Sequence, residues 1–380
     1  MIPIFRPTQD EAELELIRDC FETHWVGLGP KTKELERAFA DYIGVRHAVA
    51  LNSCTAALHL ALDALGISRG DEVAVSSITF ASTAHAVLYR DAVPILVDVD
   101  PGTLQMDPGD LERKISERTK AVIPVHYGGH PCDMDEILAL ARDRGLYVVE
   151  DAANCTGAEY RGRKIGSLDS DFTCFSFEAK KNMSTGDGGM LTTNRHDDLV
   201  DRIHKIKWVG MDKDTLARFS KDRESEPWEY DIVDLGYKYN MNDITAAMGL
   251  VQLRKLDGMN ESRRRLAARY SDVLSGEAWL RTPGDREYVL NGNWLYILRV
   301  EDGDRGDLMR HLLANDVLSN TSFKPLHLFT FYREYYLARG IEVKCPIAER
   351  EWAKIVVLPL YPDMTDSEQD QVIAAIQSFR

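Results

Sequence analysis

Short apolar, β-branched runs alternate along the chain with stretches in which apolar positions recur every three or four residues. The first kind covers His47–Leu51, Glu72–Ser76, Pro94–Val97, Ala121–Val125 and Leu146–Val149, and runs of this length and type predict buried strands. The second kind predicts helices over Lys31–Tyr42, Thr55–Leu65, Met134–Arg144 and Asp243–Leu256, with Asp243 as a cap just inside the last. Helices spaced between buried strands imply crossover connections, hence an α/β fold around a mostly parallel central sheet. From about Asn260 the pattern changes to an Arg-rich helix, strand residues around Trp294–Val300 and a helix over Asp307–Asn315. That change predicts a large α/β domain over residues 1–252 and a smaller C-terminal α+β domain over 253–380. Met211–Glu229, polar and charged after Gly210, predicts an inserted or mobile loop.

Composition narrows the classes without selecting one. The 380 residues are 44% hydrophobic and 28% charged, ordinary for a globular chain of this size. A net charge of -15 disfavours a broad nucleic-acid footprint, because phosphate backbones repel an acidic surface. The six cysteines, Cys20, Cys54, Cys132, Cys155, Cys174 and Cys345, show neither CxxC pairing nor metal-ligand spacing. They read as buried thiols of a cytoplasmic protein with no metal site. The start carries early acidic residues and no apolar leader, and no run of eighteen apolar residues occurs, so no membrane role is expected.

Candidate chemistry follows the strands, because ligands of open α/β sheets bind beyond the strands' carboxyl ends. Leu146–Val149 is followed by Glu150-Asp151-Ala152-Ala153-Asn154; a carboxylate there suits a metal, a ribose or a ring nitrogen. Thirty residues later stands Phe175-Ser176-Phe177-Glu178-Ala179-Lys180-Lys181-Asn182, then Gly186-Asp187-Gly188-Gly189. Adjacent lysines are usually solvated, but these lie between a strand of buried character and a glycine-rich turn. Pyridoxal phosphate needs a lysine to hold its aldehyde carbon and an acid to keep its pyridine nitrogen protonated, and Lys181 and Asp151 fit those roles. Asn52-Ser53-Cys54-Thr55 ends one strand and opens a helix, which suits a phosphate at a helix N-terminus and equally a plain N-cap. Phe80, after Ser76-Ser77-Ile78-Thr79, is placed to stack on a ring or to fill core.

Together these pieces resemble the DegT/DnrJ/EryC1/StrS family of pyridoxal-phosphate-dependent sugar aminotransferases, which have the aspartate aminotransferase-like fold type I. The resemblance spans nearly the whole chain. It rests on WVGLGP from Trp25, CTAALHLAL from Cys54, ITFAST from Ile78, VDVDPGTLQMDP from Val97 and IPVHYGG from Ile123. It continues with EDAANCTGA from Glu150, FSFEAKKNMSTGDGGM from Phe175, LGYKYNMNDITAAMGLVQLRKLD from Leu235, KPLHLFTFYRE and VVLPLYPDMT. Each piece alone is modest; in this order they are specific.

The resemblance implies that Lys181, the second of the pair, carries the cofactor covalently and moves the proton. It implies that Asp151 holds the pyridine nitrogen, that Phe80 stacks on the ring and that Ser176, Cys54 and Thr55 bind the phosphate. Lys238 or Asn240, within GYKYN, would reach the phosphate of the neighbouring subunit, so the active sites of a homodimer would be shared. Trp25, His327 and Tyr332 fall in segments that border the sugar in the family. Three positions depart from the family's text: Asn154 stands for a usual glutamine, Cys54 for a frequent glycine and Asp187 for the glutamate of GEGG. The implied reaction carries an amino group from an amino acid, glutamate first, to a nucleotide-linked keto-sugar. GYKYN points to amination at carbon 4 of a 4-keto-6-deoxy sugar.

Three alternatives stand beside it. A keto-cyclitol aminotransferase shares the chemistry. A pyridoxamine-dependent dehydratase would carry histidine at position 181. A non-catalytic cofactor-binding regulator would keep the fold alone. No GxGxxG follows the first strand, which disfavours a nicotinamide dehydrogenase. Arg263-Arg264-Arg265 reads as a solvated helix face, since consecutive positions fan around a helix.

Overall fold

The computed structural model describes residues 1–214, 218, 226 and 228–380; most of the segment predicted as an inserted loop, Met211–Glu229, therefore lies outside the described residues. Thirteen strands occur among them: β1 His47–Leu51, β2 Glu72–Ser76, β3 Val93–Val97, β4 Thr119–Ile123, β5 Tyr147–Asp151, β6 Glu159–Tyr160, β7 Arg163–Lys164, β8 Phe172–Ser176, β9 Gly189–Thr193, β10 Leu280–Arg281, β11 Val289–Leu290, β12 Tyr296–Val300 and β13 Ile355–Leu358. Seven build the central sheet in the order β1-β9-β8-β5-β4-β2-β3. Only β9 runs antiparallel to its neighbours, β1 and β8; the other pairs are parallel, from Glu72 opposite Val93 to Asp151 opposite Cys174.

Both faces of this sheet are covered, which is why its strands read as apolar runs rather than as alternation. Val49, Leu51, Val73, Val75, Ala121 and Ile123 point into one core. Ala48, Ala50, Ala74, Val122 and Val148 point into the other. A third core gathers around the antiparallel sheet β10-β12-β13, with Tyr296, Leu298, Val356 and Leu358 inside. The short sheet β11-β6-β7 ties the Glu159–Lys164 hairpin to the C-terminal half. All six cysteines are free and buried, and no helix among the described residues is long and apolar enough to cross a membrane.

Met134–Arg144 is a helix with the bounds the periodicity predicts. The helix predicted over Asp243–Leu256 does not stop there: it runs Asp243–Leu274, 32 residues, and absorbs the Arg-rich stretch. Gly258, inside it, costs roughly 1 kcal/mol against alanine. Burial of Leu256 and Met259 in one core and of Leu266, Ala267 and Tyr270 in another carries the helix through. The boundary placed at 252/253 falls inside this continuous element.

Asp243 does not cap its own helix either. Asn242 does, its side chain accepting the Thr245 N–H. The Asp243 carboxylate instead accepts from the backbone N–H groups of Gly29 (2.9 Å), Lys31 (3.0 Å) and Thr32 (2.9 Å) and from the Thr32 hydroxyl (2.7 Å). It thereby satisfies the start of the helix Pro30–Ile43, whose own N-cap is a glycine without a side chain. Asp243→Ala leaves these buried donors unmet, and a loss of about 3 kcal/mol in urea unfolding is expected. A loss under about 1 kcal/mol would show that water replaces the carboxylate.

Candidate active site

The carboxyl ends of β2, β5 and β8 open into a cavity of about 380 Å³, lined also by the start of the helix Cys54–Ala64 and, from the C-terminal half, by Trp294, Asn320 and Phe323. Asp151, the last residue of β5, forms part of this lining and is 4% exposed. One of its oxygens accepts the Thr83 hydroxyl at 2.7 Å and the other the Ala153 N–H at 3.1 Å. Beneath it lies a buried pair: His126 Nε2 and Glu150 Oε2 are 2.9 Å apart. His126 Nδ1 accepts the Cys132 N–H at 3.0 Å, which leaves Nε2 to donate to Glu150. The His126 N–H donates to the Asp151 carbonyl at 3.1 Å, fixing the backbone that presents the carboxylate.

Both lysines belong to the cavity lining, but Lys180 is exposed whereas Lys181 is largely covered. Lys181 Nζ donates to Asn154 Oδ1 at 3.0 Å and lies 3.9 Å from the centre of the Trp294 ring. Burial lowers the Lys181 amine below the ordinary lysine range, against the opposing pull of Asp151. Burial likewise raises the Asp151 carboxyl, against its bonds from Thr83 and Ala153. Desolvation therefore outweighs the mutual attraction of the two groups. The amine is biased toward its neutral, nucleophilic form, and the carboxylate favours a cationic N–H partner.

On the opposite wall, the N–H groups of Cys54 and Thr55 belong to a first helical turn and have no carbonyl partner within the helix. Ser53 caps that turn by accepting the Ala56 N–H at 3.1 Å. The Gly186–Gly189 turn packs against it so closely that a Cβ on Gly189 would stand 2.5 Å from the Ser53 carbonyl carbon. Glycine at 189 is thus required by the approach of two backbones. Ser176 and Asp187 line the same end. Phe80, 61% exposed, presents its ring to the cavity, and Phe323, stacked on Trp294 at 6.1 Å, closes it from the C-terminal side.

Cys54, Thr55, Phe80, Asp151, Asn154, Ser176 and Lys181 thus meet in one place; five other predicted residues lie apart from it. Tyr332 is buried beside an adjoining apolar hollow that shares Phe80 and Phe323 with the cavity, and its hydroxyl donates to the Ala81 carbonyl. His327 borders a separate depression and pairs with Glu349 at 3.0 Å. Trp25 packs near Gly29. Lys238 lies over the Trp208 ring, and the Asn240 amide donates to its neighbour Met241, so neither lines the cavity of its own chain.

Arg263 corrects a reading of the sequence. Expected on a solvated face, it is 5% exposed. Its guanidinium donates to the carbonyls of Asn182 (3.3 Å) and Lys181 (3.5 Å) and to Asn260 Oδ1 (3.3 Å). The fan of three arginines is real, but its first member turns inward. Burial pulls Arg263 down to about 10; it serves as a donor to the loop that carries Lys181. Arg263→Met is expected to lower kcat by roughly 10–100-fold through misplacement of Lys181, with partial recovery in Arg263→Lys. Parent-like kcat in Arg263→Met would contradict this role.

Comparison with known proteins places this geometry among relatives. The model of the DegT/DnrJ/EryC1/StrS aminotransferase family matches residues 7–377. The spore coat polysaccharide biosynthesis protein SpsC of Bacillus subtilis is 39% identical over 383 residues, covering 100% of this chain and 97% of its own. Among solved structures, the aminotransferase TlmJ from Streptoalloteichus hindustanus superposes with a TM-score of 0.91 at 36% identity, covering 100% of this chain and 98% of that one. The PMP-form of the putative sugar aminotransferase Spr1654 from Streptococcus pneumoniae gives 0.92 at 32%, with 100% and 99% covered.

Proposed function

The chain belongs to the DegT/DnrJ/EryC1/StrS aminotransferase family, and from that premise we propose that it transfers an amino group from glutamate to a nucleotide-linked keto-sugar of the 4-keto-6-deoxy type. It is a pyridoxal-phosphate-dependent sugar aminotransferase of fold type I. The single observation that carries the assignment of its site is the Lys181 amine in the cavity, 3.0 Å from Asn154, with Asp151 in the same lining. The cavity suits pyridoxal phosphate part by part: a buried carboxylate for the pyridine nitrogen, an exposed Phe80 face for the ring, and a helix start with Ser176 for the phosphate. Bound there, pyridoxal phosphate supplies an aldehyde carbon that joins amines reversibly and a protonated ring that accepts electrons.

The protein's own work is positioning and proton transfer. Asp151, anchored by Thr83 and the Ala153 N–H, is the group that would hold the ring nitrogen of the bound cofactor and favour its protonated form. Lys181 Nζ, biased toward the neutral amine, takes the proton from the α-carbon of the amino donor. In the reverse half it returns a proton to the sugar carbon that receives nitrogen. Trp294, Phe323 and Phe5 supply an apolar wall that limits water at that amine.

A nucleotide-linked sugar is supported by the match to SpsC, whose name places that relative in polysaccharide biosynthesis. Lys238 and Asn240 lie outside their own cavity, which supports a homodimer in which they serve the partner's site. A panel of nucleotide-linked keto-sugars and keto-cyclitols, incubated with glutamate and followed by mass spectrometry, tests the substrate. Amination of a nucleotide 4-keto-6-deoxy sugar is expected; amination of cyclitols alone would overturn it.

A further inference from the structure

We propose that Lys180 is the cation that receives a carboxylate of the amino donor, an inference that rests on the aminotransfer reading above. Of the described residues that this chain itself contributes to the lining, the cations are Lys180 and Lys181, the Lys238 proposed to enter from a second subunit being assigned to the cofactor phosphate, whereas Asp151, Glu178 and Asp187 contribute three carboxylates. An amino acid with one or two carboxylates of its own meets repulsion there unless a fixed cation receives it. Lys181 is committed: its amine is buried against Asn154 and Trp294 and performs the proton transfer.

Lys180 is available. The residue is exposed and belongs to the cavity lining. The carboxylate nearest in sequence, Glu178, accepts the Lys180 backbone N–H at 3.1 Å and makes no ion pair with its ammonium. The backbone at this position is also held in place. Trp294 Nε1 donates to the Lys180 carbonyl at 2.7 Å, and the same indole lies under the Lys181 amine. One tryptophan thus fixes the offset between the reacting nitrogen and the base of the Lys180 side chain. Its four-carbon stem then carries a point charge that suits a carboxylate without demanding a bidentate geometry.

The test uses the full-length, cofactor-loaded protein as parent, Lys180→Met and Lys180→Arg. Each is mixed rapidly with L-glutamate over a range of concentrations, and bleaching of the visible band is followed. The donor-free form is then regained with the keto-sugar nucleotide in a second series. In Lys180→Met the half-saturating glutamate concentration is expected to rise about tenfold, with the limiting rate within about twofold of the parent. Lys180→Arg is expected to stay near the parent. Glutarate, which has the carboxylates and no amine, is expected to compete with glutamate in the parent and to lose that competition in Lys180→Met. An unchanged half-saturation in Lys180→Met, or a shift confined to the nucleotide series, overturns the proposal. A parent that reacts with no amino donor would overturn the aminotransfer reading with it, whereas a reacting parent and an insensitive Lys180→Met would overturn the role of Lys180 alone.

Discussion

Lys181→Ala is expected to abolish turnover, by a factor on the order of 10⁴ or more, because in the proposed mechanism one substitution removes both the covalent anchor and the proton carrier. The fold is expected to survive. Lys181 is a buried amine whose protonation burial already disfavours, so its removal relieves a desolvation cost while forfeiting one hydrogen bond to Asn154. Circular dichroism should match the parent and thermal melting the cofactor-free parent, and the reduced, acid-stable cofactor adduct expected on the parent's Lys181 after borohydride treatment should be missing from the variant. The lowered amine sets the pH dependence of cofactor capture by the parent. A neutral amine is the nucleophile, so capture should persist as pH falls below the ordinary lysine range and decline only through the lowered value. Retained turnover in Lys181→Ala would exclude this lysine from the chemistry.

Asp151→Asn carries the second-largest expected effect, a loss in kcat on the order of 10²–10³. The amide keeps the shape and can still accept from Thr83, but it has no charge with which to hold a ring nitrogen protonated. Covalent capture at Lys181 does not need that charge, so the adduct should still form while amino transfer slows. This separates the variant from Lys181→Ala. Parent-like kcat in Asp151→Asn would mean that the carboxylate is structural, part of the buried set with His126 and Glu150 beneath it.

Much of the frame was readable in advance because local pattern and tertiary outcome agree. The buried strands are apolar on both faces, so their runs stand out. Asp151 and Lys181 follow such runs, where a sheet of this type places its ligands. What could not be read was assembled from far along the chain. Trp294 lies 113 residues beyond Lys181 and looked like the start of a strand; only the fold sets it under the amine. Arg263 carried the signature of a surface helix, and of the three arginines the helix turned that one toward the Lys181 loop. Asp243 carried a capping signal and does cap, but the helix it caps begins more than two hundred residues earlier. Lys238 and Asn240 carry family text, yet neither lines the cavity of its own chain.

The visible absorption spectrum of the purified protein, recorded before and after glutamate, tests the central claim most directly. A yellow band that bleaches to an ultraviolet band of the amine form, and returns on addition of a nucleotide-linked keto-sugar, is the predicted result. A protein saturated with pyridoxal phosphate that shows no such band, or a band that glutamate and other amino donors leave unchanged, would contradict it.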